Sequence, residues 1–493
     1  MPSANSFIQI RLAYRLVLRK CHNIFMANER KIIAEIQSPD EVNFEYHVQV
    51  LIVGAGACGL TAALAANDNT NDILVLERDA ILGGSTALSS GFVPAAQTKS
   101  QVSLGINDSA EVFSKDISNK AGKKQNKRLT SIVSVKCGEV LDWLGEKHGI
   151  EWQILDNFLY PGHSVHRMHA VPEKTGVGLI NRLQTAVTDA DIAVSTNSLV
   201  DTIFMSDDIV KGVRVQRPNN KHEFISCDNL ILACNGYGAN NGLVRKHIPE
   251  MCDALYFGHA GNEGHAVLWG EQINANIIHL SGYQGHGSVA TPHGILITWA
   301  LMMEGGIQVN EQGMRFSNEN QGYSEQSMHV LEQSNSIAWN VYDEKVHLLG
   351  KEFPDYQKAI NSGAIKSAEN ATALAKLIGI DQKGFEKTLS LIEDFAMRKK
   401  VDKFGRQFMR NIAHNEKMFA IKVTGALFHT QGGLLVNDKA QVLKIDDTPF
   451  DNLFAGGGAA CGVSGPDVSG YLSGNGLLTA FSLGGLAGWN ASK

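Results

Sequence analysis

The sequence predicts an α/β chain in which one sheet-and-helix domain is divided by an inserted α+β domain. Three stretches predict it. HVQVLIVGAGACGL (47–60) joins an apolar strand to Gly54-x-Gly56-x-x-Gly59, and the alanine-rich helical pattern LTAALAAN follows. EFISCDNLILACNG (223–236) is a strand that ends at Asn235-Gly236. NLFAGGGAACG (452–462) repeats the strand-to-glycine junction near the C-terminus. The expected organisation is a tail at 1–46, a split domain at 47–280 and 425–493, and an insert at 281–424.

The first stretch has the physics of a Rossmann-like dinucleotide turn. Gly54 permits the tight bend, Gly56 lets a pyrophosphate approach the backbone, and Gly59 lets the helix pack close to the strand. Ala57 opens that helix, whose N-terminus faces the phosphates. DILVLERDA (72–80) is a second buried strand ending in Glu77, 23 positions after Gly54, with Arg78 beside it. A carboxylate there accepts hydrogen bonds from a ribose. LGGSTALSSGFVPA (82–95) then supplies Gly84, Ser85, Thr86, Ser89 and Gly91. Small residues and hydroxyls suit phosphate and flavin-ring contacts, so this loop favours FAD over NAD.

Short strands follow in AVSTNSLVDTIFM (193–205) and IVKGVRVQR (209–217). They resemble the β-meander with which two-dinucleotide-binding-fold flavoproteins hold the adenosine end, which places Val200, Asn235 and Gly236 there. Gly457 marks the last strand's junction. GYLSGNGLLTAF (470–481) ends the series: Gly474, Asn475, Gly476 and Leu477 open a helix beside the expected cofactor.

Composition narrows the classes. At 493 residues the chain suits two or three domains. A net charge of −6 implies no basic surface for nucleic acid. No apolar run approaches the roughly 18 residues of a membrane span, so no stable membrane insertion is expected. The 49 glycines exceed the usual share of about 7%, so several clusters have specific backbone roles. Seven scattered cysteines, with no CxxC, argue against a disulfide framework, a zinc site or a haem attachment. Cytoplasm is the expected compartment. Residues 1–25 are basic and lack acids. They read either as an organellar targeting helix or as upstream sequence before a start at Met26; arginines interrupting any signal-peptide core favour the second.

Further motifs recur in order: GYQGHGS (282–288), GGIQVNEQGMRFSNE (305–319), FHTQGGLLV (428–436) and the glycine-rich 470–481 stretch. With the N-terminal motif they resemble the FAD-binding-2 superfamily over about residues 48–488. That superfamily includes fumarate reductases, succinate dehydrogenase flavoproteins, urocanate reductase and 3-ketosteroid dehydrogenases. The resemblance implies hydride exchange between flavin N5 and one carbon of an activated C–C bond, with a side chain exchanging a proton at the neighbouring carbon.

Against the fumarate reductase pattern, His286 and His429 are retained. Tyr323 takes the place of the arginine proton donor, and Tyr471 that of the arginine clamping the substrate carboxylate. Trp299 and Met302 stand where the acid and second arginine of the proton relay would be. Ketosteroid dehydrogenases resemble this chain in placing tyrosines at both points. A phenol donates one hydrogen bond but offers neither the charge nor the fork of a guanidinium. Tyr323 and Tyr471 are therefore expected to be catalytic, with His286 and His429 as further candidates. Packing roles for the tyrosines and structural roles for the histidines remain alternatives. Ser85 occupies the place of the flavin-linking histidine of succinate dehydrogenases, so FAD is expected to be noncovalent. Tyr160 is a further candidate for lining the site. His163, His166 and His169 are expected in a solvated or cavity-lining loop, with no metal site.

The leading expectation is an FAD-dependent oxidoreductase acting on a C–C bond beside a ketone. Alternatives are a fumarate or urocanate reductase-like enzyme of unsaturated carboxylates, and a non-catalytic flavin-containing binding subunit. The expected partners are a small-molecule substrate and an unidentified electron donor or acceptor.

Overall fold

Strand Tyr46–Val53 is the centre from which the fold is built. In this computed structural model, which describes residues 32–493, it lies parallel between Ile73–Leu76 on one side and His222–Leu232 on the other. Val50, Leu51 and Ile52 are fully buried, as a strand covered on both faces requires. The nine-stranded sheet runs in the order 35–37, 199–206, 209–216, 222–232, 46–53, 73–76, 193–195, and the strand Pro449–Ala455 also pairs parallel with His222–Leu232. The meander formed by 199–206, 209–216 and 222–232 is antiparallel. Residues 1–25, with their two sequence readings, lie outside the described residues.

The helix Ala57–Ala66 is buried along its whole length. The C-terminal helix Asn475–Ala491 packs against it and brings Gly484 and Gly488 to the backbone of Cys58 and Ala62. Small residues on both helices let the backbones approach closely. The C-terminal helix is thereby joined to the helix that follows the glycine turn.

A second sheet of seven strands is organised around the 13-residue strand Met418–Thr430. Tyr283–Ala290 and Ile337–Asp343 flank it antiparallel, and Leu255–Tyr256 and Ile365–Ala368 also pair with it. This strand runs through the expected 424/425 boundary. Its pairing with Tyr283–Ala290 sets Gln284 opposite His429, and the register then shifts twice, at Gln284/Gly285 and between His286 and Val289. Such bulges re-aim a side chain beside a site. Among the described residues no helix is long and apolar enough to cross a membrane.

The glycine turn generates a paired prediction. Gly54 has φ +107°, and a Cβ there would lie 2.5 Å from the Ala233 carbonyl oxygen; a Cβ on Gly59 would overlap the Gly54 carbonyl. At Gly56 the nearest protein atom to an added Cβ is Thr86 Oγ1 at 3.5 Å. Gly59→Ala is therefore expected to destabilise the fold by roughly 1–3 kcal/mol, as overpacking does. Gly56→Ala should change stability by less than about 0.5 kcal/mol, as a substitution into open space does, while weakening FAD binding. Chemical denaturation with flavin titration separates the two.

Candidate active site

A continuous cavity of about 810 Å³ runs from the glycine turn to the opening of the last helix. Of the expected cofactor residues, Gly54, Gly56, Ala57, Glu77, Arg78, Gly84, Ser85, Thr86, Ser89, Gly91, Val200, Asn235, Gly457, Gly474, Gly476 and Leu477 line it. Gly59, Gly236 and Asn475 are not among its lining residues. Gly59 serves helix packing, and a Cβ on Gly236 would strike Thr430 Oγ1. Asn475 donates from Nδ2 to Ser464 Oγ at 3.0 Å.

Glu77, 7% exposed, accepts the amides of Ala55 (2.8 Å) and Asp79 (3.0 Å), one on each oxygen. Its remaining lone pairs are open to a further hydrogen-bond donor in the cavity. Thr86 Oγ1 takes the Ala57 amide at 3.0 Å, and Ser89 Oγ takes that of Gly91 at 3.0 Å. Ser85 Oγ accepts from Asn235 Nδ2 (3.0 Å) and Asn262 Nδ2 (2.8 Å). The open space over Gly56, the carboxylate at the strand end and the helix terminus at the far end together fit an extended dinucleotide.

At that far end aromatic rings gather. His286 stacks on Tyr323 with centroids 4.6 Å apart, and Trp299 and Phe428 stand 5.8 and 5.4 Å from His286. Tyr471 is 6.1 Å from Tyr323 and 5.5 Å from His429. Tyr323, Tyr471, His286 and His429 thus face one space. Burial pushes the Tyr323 phenol up to about 12, opposed by hydrogen bonds from the Ser473 and Tyr471 hydroxyls. Burial holds Tyr471 well above the ordinary tyrosine value, opposed by backbone hydrogen bonds from Gly476 and Gly474 to its oxygen. Both phenols are neutral at physiological pH.

Both histidines are neutral too. Burial depresses His286 to about 3, and His429 to about 4 against a backbone hydrogen bond at Thr430. His286 Nδ1 accepts the Ser288 amide at 3.1 Å, so its proton sits on Nε2. The cations lining the cavity are Arg78, Lys174 and Lys358. Arg78 pairs with Glu263 at 2.8 Å near the glycine turn, Lys358 with Asp355 at 2.9 Å, and Lys174 lies next to Thr175 and Val177 on the exposed side. Among the described residues, no cation therefore stands among the four rings.

Tyr323 opens the helix Tyr323–Leu331. The loop before it is pinned by buried charges: Arg315 bonds both oxygens of Glu319 (2.9 and 2.6 Å) and Asp402 (3.0 Å), and Arg406 lies 3.1 Å from Glu319. The RFSNE motif thus sets the helix start. Trp299 Nε1 donates to the Glu319 carbonyl at 3.1 Å, which joins the replaced relay position to the same loop.

Tyr160 lines the cavity, as do Phe92, Ile295, Leu296 and Phe353, which sequence reasoning did not single out. Their short strands and loops carry no motif, and only the fold brings them together. Asn262 and Ser473 were also missed, though Ser473 lies inside the glycine-rich stretch and its hydroxyl was the available signal. The expected histidine loop is corrected: none of His163, His166 and His169 lines the cavity, and His163 and His169 are buried. Apolar neighbours on Phe113 and the strand Met168–Ala170 draw them inward.

The family model described as FAD binding domain, FAD-binding-2, matches residues 49–477. The chain belongs to that family, and its cofactor is FAD. An NADH:fumarate oxidoreductase of Klebsiella pneumoniae (strain 342) is 30% identical over 90% of this chain and 47% of its own length. The chain thus spans about half of that relative. Among solved structures, the open conformation of a flavocytochrome c3 fumarate reductase matches with a TM-score of 0.77 at 26% identity, covering 91% of this chain and 79% of that one. A 3-ketosteroid-Δ4-(5α)-dehydrogenase from Rhodococcus jostii RHA1, in complex with 4-androstene-3,17-dione, shares the fold with a TM-score of 0.75 at 21% identity, covering 94% and all of that chain.

Two predictions follow from this chemistry. A serine hydroxyl at Ser85 cannot form a histidyl–flavin link, so acid precipitation should release the yellow cofactor; colour left in the washed pellet would contradict this. The second concerns pH. His163, His169, His286 and His429 are held at about 3, 4, 3 and 4 in the native protein, against about 6.5 unfolded. Between these values the unfolded chain binds protons that the native chain does not, so stability rises with pH. Each residue contributes up to about 1.4 kcal/mol per pH unit. The urea midpoint of the holoprotein should fall from pH 7.5 to pH 5.

Proposed function

We propose that the protein is an FAD-dependent oxidoreductase acting on a C–C bond activated by a neutral carbonyl, a ketone in an otherwise apolar molecule. One observation carries this reading: the ring cluster has two phenols and two neutral imidazoles, and no cation. A dicarboxylate would lose its hydration there without gaining a countercharge. A ketone needs only a hydrogen-bond donor, and Tyr471 offers one. The walls from Tyr160, Phe92, Ile295, Leu296 and Phe353 suit an apolar body.

Bound flavin supplies hydride exchange at N5. The chain's own residues do the rest. Tyr471 donates to the carbonyl oxygen, and the amides of Gly474 and Gly476 behind its oxygen stabilise charge moving onto it. Tyr323 exchanges the proton on the carbon next to the hydride-transfer carbon. The Ser473 hydroxyl, which keeps its hydrogen bond to Tyr323 when the Tyr471 proton turns to the carbonyl, makes the Tyr323 phenolate the more accessible of the two. In reduction the neutral phenol, the form that burial favours, is the donor; the oxidative direction requires the phenol to release its proton first, and the phenolate is then the base. His286 stacks on Tyr323 and fixes its ring, and His429 borders Tyr471.

A second reading, an unsaturated carboxylate bound by His286 and His429, is favoured by the fumarate-acting relative. The electron donor or acceptor, and the substrate itself, are small or separate partners of this chain. We further assign 47–280 with 425–493 to the cofactor and 281–424 to the cap. We place the protein in the cytoplasm on its unpaired cysteines, six of which are free among the described residues.

The test is reduced-flavin oxidation with a panel of enones, fumarate and urocanate. Enones should reoxidise the flavin fastest. Tyr323→Phe should slow turnover by roughly 100- to 10,000-fold, the range of general acid–base catalysis, with FAD content unchanged. Tyr471→Phe should lower kcat as well as raise KM. Near-normal turnover in both variants, or a strong preference for fumarate, would transfer the roles to His286 and His429.

A further inference from the structure

His163 lies outside the cavity lining, yet it touches the segment that carries Tyr471. Its Nε2 is 3.0 Å from the Ser473 carbonyl oxygen. Its Nδ1 is 3.4 Å from Arg167 Nη1. A guanidinium only donates, so Nδ1 must accept, and the single proton of the neutral ring sits on Nε2 and is given to Ser473. The tautomer is therefore set by Arg167.

Arg167 is itself immobile. It forms a two-pronged pair with Asp108, Nε to Oδ2 and Nη2 to Oδ1 both at 2.9 Å, and donates to Asp116 Oδ2 at 2.7 Å. Arg167 and Asp108 side chains are fully buried. Asp116 also accepts from the Ser164 amide at 2.9 Å and the Ser164 hydroxyl at 2.8 Å. Phe113 lies beneath both, 4.5 Å from the guanidinium carbon and 6.1 Å from the imidazole centroid. Rings and charges thus form a rigid post.

The segment on top of the post has little regular structure of its own. Between the 3-10 turn Val468–Gly470 and the helix starting at Asn475 it is irregular backbone, with Tyr471 extended and Gly474 left-handed at φ +86°. Tyr471, Leu472 and Ser473 are nevertheless buried. Buried irregular backbone needs outside partners for its polar groups. His163 is one of them.

We infer that His163 is a positioning residue for catalysis, which holds the Tyr471–Gly474 segment by the Ser473 carbonyl so that the Tyr471 hydroxyl stays directed at the substrate carbonyl and the Ser473 hydroxyl at Tyr323. The inference rests on the reading of Tyr323 as the proton-exchanging group. His163 touches no reacting atom and acts through the segment alone.

The experiment compares His163→Asn with His163→Gln in the holoenzyme, each alone and in the Tyr471→Phe background. An asparagine amide approximates Nδ1, so it keeps the Arg167 contact and loses the Ser473 bond. A glutamine amide reaches towards the Nε2 position and can restore that bond. His163→Asn should lower kcat about 10- to 100-fold with KM changed less than about threefold, as a displacement of about 1 Å in catalytic groups does. His163→Gln should recover to within about threefold of wild type, since the donor is back in place. In the Tyr471→Phe background, His163→Asn should cost less than about threefold, because residues acting through one unit are not additive. Equal losses in the asparagine and glutamine variants, or full additivity with Tyr471→Phe, would overturn the inference. So would wild-type kcat in His163→Asn. Failure of the underlying reading is told apart by Tyr323→Phe: if that variant turns over normally, the proton-exchange role falls whatever the His163 variants do.

Discussion

Burial without a countercharge governs the active end of this protein. Four titratable rings stand together out of water, and burial is the largest cause of each of their shifts. It drives the imidazoles to their neutral form and the phenols to theirs, because each neutral form is the one that loses least on leaving water. Polar but uncharged, the site is left with donors and no fixed charge. It can recognise an oxygen whose negative charge develops only during reaction, which is the condition for binding a transition state better than a ground state.

The charges that the site lacks are not absent from its surroundings. They are collected into two buried clusters set back from the cavity lining. One, Arg315 and Arg406 with Glu319 and Asp402, fixes the approach to Tyr323; the other, Arg167 with Asp108 and Asp116, lies under the segment bearing Tyr471. Buried ion pairs contribute little net stability, and losing one partner costs several kcal/mol. Their value here is geometric. Multidentate pairs hold a loop in one arrangement, and each loop delivers one phenol. A third charged contact, Lys120 with Glu325 and the Gln321 carbonyl, links the helix Ala110–Lys120 to the helix that Tyr323 opens.

What was legible in the sequence follows from the range of the interactions. The Gly54–Gly59 turn and Glu77 are local features whose spacing is their mechanism, so both could be read directly. The four rings were legible only through the resemblance, because Tyr323 and Tyr471 are 148 positions apart in a chain whose fold alone joins them. The double register shift in Tyr283–Ala290, which orients His286, leaves no periodic signal. The histidine loop was misread for a physical reason: three histidines and an arginine look solvated in sequence, and only the fold brings Asp108 and Asp116 to Arg167, and Thr98 to His169, so that the buried polar groups are partnered. Apolar wall residues such as Phe353 and Ile295 were invisible, since in sequence they match any core residue.

The long strand Met418–Thr430 runs from the apolar clusters around the second sheet to the cofactor cavity. One end carries Met418 and Phe419 into two apolar clusters, one of which also holds Tyr323 and Tyr471, and the other delivers His429 and Thr430 to the cofactor cavity. The paired strand Tyr283–Ala290 brings His286 to the same cavity, so both histidines are placed by one ladder. Tyr323 and Tyr471 arrive separately, one at the start of a helix and the other on irregular backbone, and meet with ring centroids 6.1 Å apart in a single apolar cluster. Four rings from a strand ladder, a helix start and an irregular segment are thus brought to one cavity.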